Sequence, residues 1–141
     1  FAYVFSDDKY PGIPQIEVIE FDKEKFTVGD INVMPINVKH YMMNVKAFRI
    51  NDFAYVTDAN LIEESEREKL KNLDVLVLNS LRREPHISHF TFAEAIQVVK
   101  ELNPKKAYFT HISHQLGLHE AVNKELPENI ELAFDGLQLV I

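Results

Sequence analysis

The stretch over residues 108–114 places two histidines directly after a short apolar strand. These are His111 and His114, three positions apart. Imidazoles at the exit of a buried strand serve packing poorly, but they are well suited to bind a metal ion or to transfer a proton. We therefore predict that this stretch forms part of a functional site.

Further polar candidates lie upstream, after predicted strands or before a predicted helix; they are His40, Asp58 and the pair His86 and His89. Each also has a role without chemistry. A lone histidine is commonly a surface group, Asp58 could cap the helix that follows it, and the histidine pair could lie in a polar loop. His119, at the start of a helix, is given no role. We expect a functional site only if these scattered groups converge.

The chain offers only nitrogen and oxygen ligands, because it contains no cysteine. Histidine and carboxylate ligands suit zinc, manganese or iron. A carboxylate such as Asp58, placed between two strand ends that carry imidazoles, could bridge two metal ions about 3.5–4 Å apart and so activate a water for hydrolysis. The lack of cysteine also excludes disulfides and thiol nucleophiles within the chain, and it fits a reducing cytoplasm.

The composition predicts a folded globule and argues against two classes of partner. The 141 residues suit one domain, and 46% of them are hydrophobic. The net charge of −7 argues against an extended nucleic-acid surface, although the pair Arg82-Arg83 could hold a single phosphate. No apolar run reaches the ~18–20 residues of a membrane-spanning helix, so we expect no membrane partner.

The first part of the chain is predicted to form short strands connected by tight turns. The predicted strands are residues 16–21, 25–28, 31–38, 45–50 and 53–58. The last two form a hairpin across Asn51-Asp52, a pair that tolerates positive φ. Pro35 predicts an edge position or a bulge in the third strand, because the hydrophobic alternation changes phase there. His40 directly follows that strand, and Asp58 ends the hairpin.

The second part alternates helices and strands. Helices are predicted over residues 63–71, from the capping box of Thr91 and Glu94 to just before Pro104, and over residues 118–126. Strands are predicted over residues 73–78, 107–109, 130–134 and 137–141, the last two as a hairpin around Asp135-Gly136. A β-meander followed by alternating helices and strands predicts a single α/β layered domain, residues 1–141, with helices on one side of the sheet.

Several ordered motifs resemble those of the metallo-β-lactamase-fold hydrolases. They are residues 54–58 (AYVTD), 73–78 (LDVLVL), 85–89 (PHISH), 108–114 (YFTHISH) and 131–137 (ELAFDGL). The branch that they resemble is that of the phosphodiesterases that open phosphoribosyl cyclic phosphate. The resemblance implies an αββα sandwich with two divalent metal ions, zinc or manganese with iron as a third option, between its two sheets. It also implies that a metal-activated water hydrolyses a small phosphate ester.

The resemblance further implies a role for each candidate residue. The implied metal ligands are His40, Asp58 and His111, with the carboxylate bridging the two metals. His89 falls where this branch has a histidine that protonates the leaving group. His86 and His114 would bind the substrate, His86 beside its phosphate.

The chain lacks the His-x-His-x-Asp-His segment of the family, which normally lies N-terminal to these motifs. We therefore expect the chain to be the C-terminal half of the enzyme, with partial or no metal occupancy and no activity alone. An exposed apolar sheet face would follow, and with it a homodimer, in one form by strand exchange. Two alternatives stay open: a non-catalytic, self-associating fragment, and a metallo-hydrolase of a thioester, a lactone or RNA.

Overall fold

The structure, a computed structural model, describes residues 4, 5, 11, 12, 14, 16, 18–21 and 25–141. Its strands are β1 (Phe26–Val28), β2 (Ile31–His40), β3 (Met43–Ile50), β4 (Phe53–Val56), β5 (Val75–Asn79), β6 (Lys106–Thr110) and β7 (Ile130–Leu132). Its helices are α1 (Glu64–Arg67), continued by a 3₁₀ turn (Glu68–Leu70), α2 (Phe92–Leu102) and α3 (His119–Asn123). The described strands form one seven-stranded sheet in sequence order.

The sheet changes from antiparallel to parallel pairing at β4. The strands β1 to β4 are consecutive antiparallel neighbours joined by tight turns, and Asn51 has the positive φ (50°) that the predicted β3–β4 turn needs. From β4 to β7 the strands run parallel, so each connection must cross over, and each contains a helix. Parallel strands end at the same edge, which brings together the residues that follow β4, β5 and β6.

The hydrophobic core lies between one face of the sheet and the helices. Along β4, the buried Ala54 and Val56 alternate with the less buried Phe53 and Tyr55, as the two-residue period of a strand requires. The buried face continues through β5 and β6 and packs against the apolar face of α2, which begins at the predicted capping box. There the Thr91 hydroxyl accepts the Glu94 N–H at 3.2 Å. The predicted α/β layered fold is therefore confirmed.

Three local predictions are wrong or incomplete. No bulge occurs at Pro35, because β2 pairs with β3 in continuous register; the alternation changes phase because residues on both faces of β2 are buried. The strand predicted at residues 137–141 does not form, although Gly136 (φ 92°) makes the predicted turn. The described part of residues 16–21 is not a strand either, and Glu17 lies outside the described residues. Phe21 stacks on Phe26 with ring centroids 4.5 Å apart.

Among the described residues, β1 pairs with β2 only as far as Val33, so the edge position predicted for Pro35 holds for that part of the chain. His40 is the last residue of β2 rather than the residue after it, because the β2–β3 ladder runs to His40 opposite Met43. Among the described residues, no helix has the length and apolarity that crossing a membrane requires.

Candidate metal centre

One carboxylate and four imidazoles meet at the edge where the parallel strands end. Asp58 lies just after β4 and His111 just after β6, while His40 ends β2. His86 and His89 lie in the connection between β5 and α2. Five of the six residues predicted for the site therefore converge, although they come from four separate segments of the chain.

Asp58 is the centre of this cluster. Its Oδ1 atom lies 3.1 Å from Nε2 of His89 and 3.2 Å from Nδ1 of His111. The two imidazole rings stack, with centroids 4.6 Å apart and an angle of 20° between their planes. The ring of His40 meets His89 edge-on, with centroids 4.9 Å apart. One carboxylate oxygen is thus approached by two imidazole nitrogens, and a third ring lies beside them.

The donor set fits a divalent metal ion. His40, Asp58 and His89 each offer one ligand atom, and these three atoms all lie within 4.8 Å of one another. Imidazole nitrogen and carboxylate oxygen are ligands that zinc, manganese and iron accept. Because His111 contacts the same carboxylate oxygen, it adjoins this group. The geometry gathers His89 with the ligand atoms, whereas the resemblance implies His111 as a ligand and His89 as a proton donor.

Asp58 and His111, which lie just after parallel strands, have left-handed backbone conformations. The φ angle is 55° for Asp58 and 57° for His111. Residues other than glycine rarely adopt this conformation, and where they do so at a cluster of reactive groups it is typical of functional sites. The helix-cap role considered for Asp58 is wrong, because Glu63 occupies the N-cap position of α1.

His89 is held on both of its ring nitrogens. Nε2 faces the Asp58 carboxylate, which can only accept, so in the neutral ring Nε2 carries the proton. Nδ1 then accepts a hydrogen bond, and both the Ser88 hydroxyl at 3.0 Å and Nδ1 of His86 at 3.1 Å are within reach. His89 is 9% exposed and Ser88 6% exposed, so both are buried, whereas Asp58 and His86 are partly exposed. The packing therefore fixes the ring plane of His89, and the Asp58 carboxylate favours the neutral tautomer with its proton on Nε2.

The surroundings lower the pKa of His89. Burial is the largest cause, because it disfavours the charged imidazolium, and the hydrogen bond to Asp58 opposes it in part. The imidazoles of His111 and His40 lower the pKa of His89 further through charge repulsion. A lowered pKa favours the neutral ring, which is the form that binds metal, and it makes the protonated ring a stronger acid.

Two histidines lie outside the cluster. No hydrogen bond, ion pair or ring contact in the described part of the chain joins His114 to it, and the side chain is exposed. The substrate-facing role of His114 therefore stays a prediction. Nε2 of His119 lies 3.2 Å from the carbonyl of Leu132 and so links α3 to β7, a structural contact.

Sequence reasoning missed two residues that support the cluster, Ser88 and Asn79. Ser88 contacts both histidines of its loop, and Asn79 is fully buried beside the residue after Asp58. The signal for Asn79 was a polar side chain at the end of the apolar run Val-Leu-Val-Leu-Asn in β5. No comparable signal marks Ser88, because a serine in a polar loop is common.

Comparison with known proteins gives the family. Residues 1–112 match the family described as beta-lactamase superfamily domain, and the chain belongs to it. The structure is similar to the crystal structure of a new diphosphatase from the PhnP family, with a TM-score of 0.87, 36% identity and coverage of 90% of this chain and 50% of that one. The fold is also that of the metallo-beta-lactamase fold protein YhfI from Bacillus subtilis, with a TM-score of 0.71, 20% identity and coverage of 92% and 57%.

A longer protein matches along nearly the whole chain. It is an octanoyltransferase from Porphyromonas gingivalis (strain ATCC BAA-308 / W83), 33% identical over 141 residues, which are 99% of this chain and 29% of that protein. The chain thus spans half of the diphosphatase and less than a third of the octanoyltransferase. The prediction of a metallo-β-lactamase fold is confirmed, while the roles of the individual site residues stay predictions.

Proposed function

We propose that the whole protein is a metal-dependent hydrolase of a small phosphate ester, most specifically a phosphodiester. The observation that carries the proposal is the approach of His89 and His111 to one oxygen of Asp58, with His40 edge-on to His89. This arrangement presents several nitrogen ligands around a single carboxylate. The 36% identity to a diphosphatase supports phosphate as the group that is attacked.

His40, Asp58 and His111 would hold two divalent metal ions, zinc or manganese, together with ligands from beyond these residues. When bound, such ions supply an activated water and positive charge that stabilises the phosphoryl oxygens in the transition state. The chain's own contribution is to hold the carboxylate and the imidazoles in place before the ions bind. The left-handed backbone at Asp58 and His111 supports this assignment, because it directs both side chains into the cluster.

We assign to His89 the proton that goes to the departing alkoxide. As the acid the ring is the imidazolium, which gives its Nε2 proton to the alkoxide and is left neutral, while Ser88 and His86 lie within hydrogen-bond distance of Nδ1. The burial that lowers its pKa makes the imidazolium a stronger acid, which suits proton transfer to a poor leaving group. Ser88 and His86 would act by orienting the ring rather than by contacting the reacting atoms.

The basic residues near the cluster suit one phosphate rather than a polymer. Arg83 is bound by both carboxylate oxygens of Glu125 at 2.8 Å, which neutralise its charge. Arg82 donates to neutral groups, the side-chain oxygen of Gln115 and the carbonyl of Pro85, both at 3.0 Å, so it retains its charge. Since Pro85 directly precedes His86, this cation is fixed beside the histidine loop, and it supports a phosphate site there.

The space next to the cluster also suits a small substrate. A cleft of about 270 Å³ lies beside His111 and is lined by Thr110, Ile112, Ala133, Phe134 and Asp135 as well. A larger cleft of about 740 Å³ lies around Arg49 and Asn32 and contains none of the cluster residues. Of these two clefts we propose the smaller one for the substrate, because the candidate metal ligand His111 lines it.

A second candidate function is hydrolysis of a thioester or lactone, favoured by the 33% identity to an octanoyltransferase. The chain matches 29% of that protein, so its name does not connect octanoyl transfer with the matched part. A thiol nucleophile is excluded within the chain, which has no cysteine. An acyl substrate would therefore need the same metal-activated water.

We propose in addition that the chain forms one half of a two-sheet sandwich. The sheet face opposite the helices carries a shallow groove lined by apolar side chains, among them Phe53, Tyr55, Tyr108 and Phe134. The coverage of 50% of the diphosphatase supports this reading. In the competing proposal, a second copy of the chain covers the same sheet face and forms a homodimer. Light scattering on the 141-residue chain decides between them, because a monomer with this face open would contradict the homodimer.

The test of the function uses the whole protein, stripped with a chelator and reloaded with Zn²⁺ or Mn²⁺ separately. We expect metal-dependent hydrolysis of a phosphodiester such as bis(p-nitrophenyl) phosphate, with little turnover of a thioester or a lactone. Preferred turnover of either acyl substrate would favour the second candidate. If none of the substrates is hydrolysed and no metal is retained, the non-catalytic alternative is correct.

A further inference from the structure

The residue after Asp58 is held by a side chain from the neighbouring strand. Asn79, the last residue of β5, is fully buried. Its Oδ1 accepts the N–H of Ala59 at 2.9 Å, and its Nδ2 donates to the carbonyl of the same residue at 2.9 Å. One carboxamide therefore binds both polar groups of one buried residue's backbone, as a neighbouring strand would.

This contact begins where the regular ladder stops. The last paired residues of β4 and β5 are Val56 and Leu78, and the chain then turns through the left-handed Asp58. Residues other than glycine rarely adopt that conformation, so the surrounding structure must stabilise it. Asn79 supplies hydrogen bonds that the Ala59 backbone can make only while the turn is in place. The amide thus favours the turn that directs the Asp58 carboxylate into the cluster.

The same backbone group holds the histidine loop. The carbonyl of Ala59 also accepts the N–H of Phe90 at 2.9 Å, and Phe90 directly follows His89. A single carbonyl therefore receives one hydrogen bond from Asn79 and one from the segment that carries His89. The relative position of the Asp58 carboxylate and the His89 ring depends on this junction.

Ser80, the residue after Asn79, binds the segment that carries His111. The N–H of Ser80 donates to the carbonyl of Thr110 at 2.9 Å, and Thr110 directly precedes His111. The exit of β5 is thus bonded directly to the neighbours of Asp58 and His111, and it is linked to the neighbour of His89 through the Ala59 carbonyl. Of the hydrogen bonds described at this junction, those of Asn79 come from a side chain and the others join backbone groups. A substitution of Asn79 therefore removes its bonds without altering the backbone.

We propose that Asn79 is a positioning residue for the metal centre. Its carboxamide fixes the Ala59 backbone, and through it the carboxylate of Asp58 and the ring of His89, in the arrangement that binds metal. The inference rests on the proposed function in naming a metal ion as the ligand. It differs from a purely structural role, because a buried asparagine that only stabilises the fold would affect unfolding and not the cluster.

The matched control is Asn123, another asparagine that bonds a backbone group. Its Oδ1 accepts the N–H of Leu132 at 2.8 Å and links α3 to β7, away from the cluster. In the whole protein we expect Asn79→Ala and Asn123→Ala both to lower the melting temperature. We expect only Asn79→Ala to weaken Zn²⁺ or Mn²⁺ binding, by about 10-fold or more, the range typical for residues that orient metal ligands. Binding in the control should change less than about twofold.

A second measurement needs no metal. In Asn79→Ala, the Ala59 amide should exchange its hydrogen faster, and the imidazole resonances of His89 and His111 should shift in the metal-free protein. In Asn123→Ala they should not. If wild type retains no metal, the proposed function fails while these resonances still decide the positioning role. Unchanged metal binding and unchanged resonances in Asn79→Ala, or equal effects in both variants, would overturn it.

If Asn79→Ala does not fold, Asn79→Leu replaces it. Leucine keeps a similar volume and adds no charge, but it loses the acceptor for the Ala59 N–H and the donor to the Ala59 carbonyl. The proposal then requires the same shift of the His89 and His111 resonances relative to wild type. Wild-type resonances in folded Asn79→Leu, with wild-type metal affinity, would contradict it.

Discussion

The two ends of the parallel strands differ in how their charged and polar side chains are paired. At the edge where the strands begin, charges form one-to-one ion pairs: Lys105 with Asp74 at 2.6 Å, and Arg49 with Asp52 at 2.8 Å. At the edge where the strands end, four imidazoles gather around the single carboxylate of Asp58. At the first edge each of these cations is paired with one carboxylate, whereas at the second several imidazole nitrogens lie around one carboxylate.

This difference distinguishes exposed ion pairs from the candidate metal centre. The pair of Lys105 and Asp74 is mostly exposed, with 77% and 53% of the side chains accessible, and such pairs contribute little to stability. The cluster includes a histidine that is only 9% exposed and two residues with left-handed backbone. Packing that confines imidazole nitrogens beside a carboxylate presents several ligand atoms to a cation.

The largest effect is expected from Asp58→Asn, compared with Asp74→Asn at the opposite edge. Removing the carboxylate charge takes away the anionic ligand, so affinity for Zn²⁺ or Mn²⁺ should fall by about 100-fold or more and turnover should be lost. Metal affinity in Asp74→Asn should stay within about twofold of wild type. Competition with a chromogenic chelator measures both. Equal effects at the two edges would show that the cluster is not the metal centre.

The next effect separates the two roles of His89. As proton donor, His89→Gln should retain metal but lose about 10²–10⁴-fold in turnover, most severely for poor leaving groups. As a ligand in the group with His40 and Asp58, the same variant should lose metal. His119→Gln is the control, because its ring contacts only the Leu132 carbonyl among the described polar groups. Metal content by emission spectrometry and turnover of esters with different leaving groups decide between the roles.

A smaller, pH-dependent effect is expected at Glu66, which joins α1 to β2. Its carboxylate accepts the backbone N–H of Asn37 at 2.8 Å and contacts the Lys69 ammonium at 2.9 Å. Burial raises the pKa of Glu66, but the hydrogen bonds from Lys69 and Asn37 outweigh it, so the net pKa is lowered from 4.5. Because the pKa of Glu66 is lower in the folded than in the unfolded state, the ionised carboxylate stabilises the protein fully above about pH 4.5. This stabilisation is lost as the pH falls through the lower, folded-state pKa.

Glu66→Gln should therefore lower the free energy of unfolding by about 1–2 kcal/mol near pH 7, since charged hydrogen bonds are lost. The difference between variant and wild type should shrink as the pH falls below the folded-state pKa of Glu66. Urea unfolding at several pH values measures it. A difference that stays constant or grows in acid would contradict the assigned sign.

The smallest effect is expected from Lys105→Met. Asp74 raises the pKa of Lys105 through its hydrogen bond and its charge, but both side chains are exposed and screened by water and salt. We expect no change in metal affinity and a melting temperature within about 1 °C of wild type. A clear loss of stability would mean that ion pairing at this edge matters more than the comparison implies.

Local signals in the sequence predicted much of the fold. The capping box at Thr91 and Glu94 and the turn at Asn51 depend on contacts within a few residues, so both were predictable. The failed predictions needed distant partners. A strand at residues 137–141 was expected from the hairpin turn signal at Asp135-Gly136, but a turn signal does not reveal whether the segment after it pairs with a neighbouring strand.

The site divides in the same way. The residue types alone defined the kinds of ligand, the absence of thiols and the positions of Asp58 and His111 at the ends of apolar strands. The folded structure was needed to show that both His89 and His111 approach one oxygen of Asp58, and that Asn79 bonds the Ala59 backbone directly after Asp58. The physical reason is that this convergence depends on the parallel register of β4, β5 and β6, which is a property of strand pairing across distant segments and leaves no trace in local spacing.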